Sequence, residues 1–360
     1  QKGLVPNTKL DIVNFNMTTD YKFSEKLKFA SSLQYNRQMS PNFPDINYGP
    51  NSIIYNMIFW GAADWNVDDM KNYWQPGKEG IQQIYAEYQR YNNPYFMSYE
   101  WLRSHNKTDI IGQASMNYQI APSLDVTLRS QVTTWDLKRT EKLPYSAGAY
   151  GRDERRGDYR EDSRSLFENN TDILFKFDKD IVSSLNAKIW AGGNIRTFNY
   201  TSQFGTTDYL NVPGLYNFNN SANPVKIANF NSDMRVNSAY YSADFSLKNY
   251  VTLSTTGRMD KLSTLPQGNN TFFYPSVAVA TSLTDYINLP EFISYAKVRG
   301  SYANVKDGLT QSSIGATPVS SYPLGYGDQY YSPYDGPSYQ NSAVYSILTT
   351  YNNEPSAVFT

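Results

Sequence analysis

Residues Ile110-Ile111-Gly112-Gln113-Ala114-Ser115-Met116-Asn117-Tyr118-Gln119-Ile120, the corner Ala121-Pro122-Ser123 and the return Leu124-Asp125-Val126-Thr127-Leu128-Arg129 alternate apolar and polar positions. A period of two sends successive side chains to opposite faces of a strand, and a Pro-Ser corner closes a tight antiparallel pair. One face carries Ile110, Gly112, Ala114, Met116, Tyr118 and Ile120, continuing into Leu124, Val126, Leu128 and Val132. The other carries Gln113, Ser115, Asn117, Asp125, Thr127, Arg129 and Gln131.

The same grammar extends in both directions. Leu10 to Tyr21 and Lys26 to Arg37 pair about Ser24-Glu25. Phe167, Ile173, Phe175 and Phe177 lead through Asp178 to Ser184 into Leu185, Ala187, Ile189, Ala191 and Ile195. Val236 to Leu247 and Val251 to Arg258 pair about Lys248-Asn249-Tyr250, and Phe272 to Thr281 is followed by Tyr295 to Ala303. The pattern predicts about ten strands.

The remaining connections are long: Ser40 to Lys107, Asp136 to Arg164, Asn199 to Asp233, and everything after Asn304, with only Lys261 to Asn270 of middling length. Soluble domains seldom hold structureless loops beyond about 15 residues. A transmembrane β-barrel has short periplasmic turns and long extracellular loops. The face opposite the apolar one also argues against a sandwich core, because it carries Lys28, Arg129, Lys188, Arg196, Arg258, Lys297 and Arg299 among Asp125, Asp172 and Asp244. Burying these would cost several kcal/mol per unpaired charge, whereas a hydrated lumen accepts them. Arg129, Arg196, Arg258 and Arg299 are therefore lumen-lining candidates in an all-β, antiparallel transmembrane barrel.

Composition agrees. The chain has 360 residues and a formal charge of −1, from 32 Lys plus Arg against 33 Asp plus Glu, so no polycationic nucleic-acid surface is encoded. With no cysteine and one histidine, disulfides, thiol chemistry and His/Cys zinc clusters are excluded. A catalytic triad would depend on His105, which lies in the polar string Arg103-Ser104-His105-Asn106-Lys107, read as loop, far from any Gly-x-Ser-x-Gly elbow. No apolar run reaches the 18 or so residues of a spanning helix. The mean hydropathy of −0.58 conceals 32 Tyr, 18 Phe and 6 Trp, assigned to interfacial girdles and external loops.

Several strings resemble the SusC/RagA family of TonB-dependent outer-membrane transporters. They are Phe272-Phe273-Tyr274-Pro275-Ser276-Val277 with Lys297-Val298-Arg299-Gly300-Ser301-Tyr302-Ala303, and Thr256-Gly257-Arg258 with Leu265-Pro266-Gln267-Gly268-Asn269-Asn270. Tyr48-Gly49-Pro50-Asn51, Tyr73-Trp74-Gln75-Pro76-Gly77, Asn92-Asn93-Pro94-Tyr95 and Val212-Pro213-Gly214-Leu215-Tyr216 fall in the family's order; Val305-Lys306-Asp307-Gly308 departs from its Gly-Asn-Asp-like turn. The resemblance implies a barrel of about 22 strands holding an N-terminal plug, a SusD-like lipoprotein closing it from outside, and the TonB complex pulling on the plug. On that basis residues 1–360 form part of one barrel domain in the bacterial outer membrane, with the plug and the closing C-terminal strands outside this chain. About ten strands with open edges would be unstable in lipid by themselves.

The first long loop carries Trp60, Trp65, Trp74, Tyr95, Phe96, Tyr99 and Trp101. Clustered aromatics mark ligand or partner surfaces, or else form the loop's own small core. The run from Arg152 to Asp162 reads as a solvated loop. No cofactor is expected; Asp64, Asp68 and Asp69 offer oxygen ligands of the kind calcium takes, but without Asp-x-Asp-x-Asp-Gly spacing. Glu168 and Asp172, four residues apart on one strand, lie about 13 Å apart, too far for a glycosidase carboxylate pair. Gly192-Gly193 falls inside a strand and Gly325-Tyr326-Gly327 lacks a third glycine, so no phosphate loop is present. The expected function is energised import of a bulky nutrient, oligosaccharide or peptide, without enzymatic activity. The alternatives are a passive porin, a β-barrel enzyme of the outer membrane, and a soluble all-β carbohydrate-binding protein.

Overall fold

Ten strands run antiparallel in chain order: β1 (Asp11–Lys22), β2 (Leu27–Ser40), β3 (Leu102–Ala121), β4 (Leu124–Leu143), β5 (Asp158–Val182), β6 (Leu185–Leu210), β7 (Ser221–Leu247), β8 (Val251–Leu262), β9 (Thr271–Ser282) and β10 (Lys297–Ala303). The structure is a computed structural model that describes residues 1–44, 49–61, 65–87, 91–149, 152–248, 250–263, 265, 267–290, 292–305, 338–339 and 342–343. Every pairing in the large sheet joins strands consecutive in sequence, and β1 and β10 each have one neighbour among the described residues. A two-residue pair, β11 (Ser338–Tyr339) and β12 (Ser342–Ala343), stands apart. Among the described residues no helix is long and apolar enough to cross a membrane.

Register confirms the two faces. Leu128 lies between Met116 and Ile173, and Phe175 between Val126 and Ala191, building a continuous apolar surface. Arg129 lies between Ser115 and Asp172, and Asp172 opposes Asn194. Turns at 23–26, 122–123, 183–184 and 248–250 close one end of the sheet, where only 283–296 is long.

The opposite end departs from expectation. β3 and β4 have 20 residues each, and β5, β6 and β7 have 25, 26 and 27. The anticipated loops Asp136 to Arg164 and Asn199 to Asp233 therefore shrink to residues 144–157 and 211–220, and Leu102 to Lys107, His105 included, is strand rather than loop. β5 also continues to Val182, so the anticipated connection from Asp178 to Ser184 reduces to 183–184.

The physical reason is a phase inversion. Up to Val132 the apolar residues of β4 occupy the Leu128 face; from Trp135 they occupy the Arg129 face, as Trp135, Leu137 and Leu143, all buried. β5 switches between Ile173 and Leu166, β6 between Ile195 and Phe198, and β7 between Ala239 and Met234. Trp135, Leu137, Leu166, Phe198, Tyr200 and Met234 form one buried cluster at that level. A strand whose buried face changes midway looks, residue by residue, like a strand that has ended.

Candidate binding surface and the charge network beneath it

The described residues of the first long loop, which spans 41–101, fold over the polar face of the extended β3, β4 and β5. Two short helices shape it. Helix α1 (Ile53–Trp60) starts where Ser52 Oγ accepts the Tyr55 N–H at 3.2 Å. Helix α2 (Pro94–Tyr99) starts where Asn93 Oδ1 accepts the N–H groups of Tyr95 at 2.9 Å and Phe96 at 3.3 Å, with Pro94 at the first helical position, where no donor is needed. Ile53, Phe96, Met97 and Trp101 then pack with Leu143, Ala147 and Ala149 into a core shared by the loop and the β4–β5 connection.

A polar knot fixes the same two segments. Gln83, fully buried, donates its backbone N–H to Ser146 Oγ at 2.9 Å and its side-chain amide to Asn92 Oδ1 at 3.0 Å and the Ser146 carbonyl at 2.8 Å. Asn92 in turn donates to the Gly148 carbonyl and accepts the Gly148 N–H.

Beneath the loop lies a set of buried charges, of which Arg152, Asp158, Arg160 and Asp162 fall in the run that the sequence reading placed in a solvated loop. Glu141 has no exposed surface and accepts from Trp101 Nε1 at 2.6 Å, Arg103 Nε at 2.9 Å and Arg160 Nη1 at 2.6 Å. Asp162 accepts from Arg139 Nε and Arg164 Nε, both at 2.9 Å. Asp158 pairs with Arg152 and accepts the Thr207 hydroxyl and the Tyr209 N–H; burial pushes its carboxyl up against the pull of Arg160 and Arg152. Tyr209 holds φ at +65° beneath the Arg152 guanidinium, 3.7 Å from its ring. The signal was present: Arg139 and Glu141 share strand parity with Trp135, Leu137 and Leu143, and that face is buried.

His105 is buried as well, stacked on Phe43 at 5.0 Å, and burial together with Arg139 and Lys107 pulls its pKa down to about 4. It is a neutral packing residue.

Of the aromatic candidates, Phe96 and Trp101 are buried in the loop core, and Trp74 packs half-buried against them. Trp65 is half-buried beside Gly61, where an added Cβ would come within 2.6 Å of its ring. Trp60 ends α1, its side chain outside the described residues. Tyr99 is exposed and Tyr95 half-buried, and sequence reasoning missed their half-buried companion Tyr73: the Tyr73–Tyr99 and Tyr95–Tyr99 rings are each stacked, parallel to within 6° with centroids 6.5 Å apart. Tyr73 donates its hydroxyl to Glu100 Oε1 at 2.8 Å, and burial and that carboxylate push its pKa upward. Asp68 is held by Lys71 at 2.9 Å and Tyr95, and Asp69 accepts from Asn66; Asp64, like Gly325-Tyr326-Gly327, lies outside the described residues.

Lower on the polar face, Arg129 pairs with Asp172 at 2.8 Å and Arg196 with Glu168 at 2.8 Å, so these carboxylates belong to separate ion pairs. Arg258 pairs with Asp260 and donates to Ser238; Arg299 lies exposed on β10.

No protein-family model matches the chain, and no curated protein matches its sequence. Among solved structures it is similar to the RagAB peptide importer in the 'open-open' state, at 12% identity and TM-score 0.63. It is similar also to the RagAB peptide transporter and to the importer in the 'closed-closed' state, each at 11% identity and TM-score 0.62. Each alignment covers 84% of this chain and 33% of the other, so the chain spans about a third of the length of the structures it matches. Over that span its fold is that of a section of antiparallel β-barrel wall of the kind these structures contain.

Proposed function

We propose that the chain is part of the barrel of a TonB-dependent outer-membrane importer for a bulky nutrient, an oligosaccharide or peptide, working with a SusD-like surface lipoprotein. The phase inversion carries this reading. Near the short turns the exposed apolar face suits lipid and the Arg129–Asp172 face suits a hydrated lumen, as barrels in bilayers require. Beyond the inversion the outward positions turn polar, and the first long loop packs inside the wall, placing its surface at the outer mouth. The fold likeness to RagAB supports import with an extracellular partner. A transport role also suits Glu168 and Asp172, which are tied to different arginines instead of converging as an acid/base pair.

The test is uptake in the source organism. A strain lacking the gene and a strain lacking TonB function are expected to lose uptake of the same members of an oligosaccharide and peptide panel. Uptake that persists without TonB would replace energised import with a passive porin.

A further inference from the structure

We propose that the outward face of the sheet holds one phosphorylated, acylated glycolipid of the outer leaflet, with an acyl chain in a hollow at Gly193 and a phosphate on Arg235 and Lys261. The hollow, about 550 Å³, is lined by Leu128, Ile173 and Gly193 in one cross-strand row, by Ile195 and Asn237 in the next row outward and by Arg235 in the row beyond. Its floor is backbone, because Asp172, Asn194 and Ser238 direct their side chains to Arg129, Asn170 and Arg258 on the lumen face. Leu128, Ile173 and Ile195 are 53%, 40% and 45% exposed, so its walls are apolar and open to the bilayer. Gly193 is what leaves the space free. An added Cβ there would meet only the Ser238 carbonyl, at 3.4 Å, whereas at Gly192 it would come within 2.4 Å of the Ile173 carbonyl and 2.9 Å of the Tyr240 ring. Packing thus requires Gly192 and not Gly193. Register runs unbroken through Gly193 on both sides, so it marks no bulge, and what remains for such a strand glycine is close approach by another molecule.

Charge and height select the occupant. Lys261 pairs in register with Asn237, and Arg235 lies one row further out beside Ser263, so the two cations are diagonal neighbours across β7 and β8, about 7 Å apart. Both are exposed, and among the described residues neither is in an ion pair; Arg235 donates only to Asn237 Oδ1, at 3.1 Å. Asp260 turns to Arg258 on the lumen face, and Asp233, which accepts from Asn199, lies on the far side of Arg235 from the hollow. From Leu247, beside the short turn, to Asn237 is about 33 Å of strand, a height of about 25 Å at the tilt of barrel strands. That is the height of a barrel's apolar band. Arg235 and Lys261 therefore stand at its outer edge, level with lipid phosphates. The end with the long loops faces out of the cell, which selects the glycolipid of the outer leaflet over a glycerophospholipid. The site rests on the proposed outer-membrane barrel only for the bilayer around it.

The full-length protein, purified from outer membranes and stripped of lipid by detergent exchange, is to be titrated with bisphosphorylated lipid A, the same lipid without its phosphates, phosphatidylglycerol and inorganic phosphate. Native mass spectrometry counts what stays bound. The tightest lipid A site is expected to weaken about tenfold or more on removal of the phosphates or in Arg235→Gln/Lys261→Gln, since each basic residue at a membrane surface contributes to holding an anionic headgroup. Gly193→Val, which fills the hollow, is expected to weaken it about fivefold or more, as loss of buried methylenes does. Gly193→Ala is expected to bind as the native protein does. The charge pair is exposed, so its replacement leaves assembly intact, which the folded band on unheated gels checks. Native affinity in both the charge variant and Gly193→Val would reduce the contact to bulk lipid and overturn the proposal. Equal affinity for phosphatidylglycerol, or displacement of lipid A by inorganic phosphate, would do the same. Absence of lipid A binding with TonB-dependent uptake intact removes the site alone; lipid A binding with uptake that needs no TonB removes the import reading alone.

Discussion

The indole Nε1 of Trp101 donates to Oε1 of Glu141 at 2.6 Å, tying the end of the first long loop to the buried face of β4. The Arg103 guanidinium lies 4.3 Å over the same indole and donates to the same carboxylate oxygen, while Arg160 takes the other. One carboxylate thus bridges two buried arginines and seats the loop.

Glu141→Gln keeps the shape and removes the charge, leaving Arg103 and Arg160 facing a neutral amide. Breaking a buried pair in this way costs about 3–5 kcal/mol. Chymotrypsin should then cut within residues 41–101 under conditions where the native loop resists, and the folded band on unheated gels should be lost at a lower temperature. Unchanged protection of the loop would show that Glu141 does not seat it.

Leu128, 53% exposed on the apolar face, sits near the middle of the short-turn half of β4. Leu128→Arg should impair assembly into the outer membrane, at about 2–4 kcal/mol for an arginine at the bilayer midplane. Gln131→Arg, on the Arg129 face, should assemble normally. Comparing folded protein in outer-membrane fractions checks both, and equal yields would reverse the assignment of faces.

His105 is depressed to about 4 in the fold against 6.5 for a free imidazole, so its neutral form is favoured when folded. That contribution is fully present above pH 6.5 and declines as pH falls through the window to about 4; the shift corresponds to about 3 kcal/mol. Arg139 and Lys107 both oppose its protonation. Once the intrinsic fall in exchange rate with pH is divided out, protection of the outer part of β3 should drop from pH 7 to pH 5, and His105→Asn should flatten that dependence. A native-like pH response in the variant would assign it to another group.

The strand pairs, their turns and their two faces were legible because lipid-facing positions repeat every second residue over stretches such as Leu124 to Val132. The outer halves were not. There the apolar positions change parity, from Leu128 to Trp135 in β4 and from Ile173 to Leu166 in β5, and a search for one continuous alternation stops at the slip. Read as two phases instead of one, the sequence would have carried β4 on to Leu143.

The candidate surface divides in the same way. The sequence picked out the aromatic loop, yet Phe96 and Tyr99, three residues apart on α2, have opposite roles: one is fully buried and the other exposed. A helix of 6 residues is too short to show its buried side by periodicity. The charged run from Arg152 to Asp162 looked solvated because charge in a sequence carries no record of what lies over it.

By itself, then, the sequence determined an antiparallel sheet with one lipid-compatible face, since local alternation alone dictates which side chains share a side. Tertiary structure alone decided that Glu141, Asp158 and Asp162 are buried and paired, and that Tyr73 joins Tyr95 and Tyr99. Those outcomes depend on residues 41–101 folding back over strands distant in the chain, and the desolvation and hydrogen bonding that result belong to the contact and to neither segment separately.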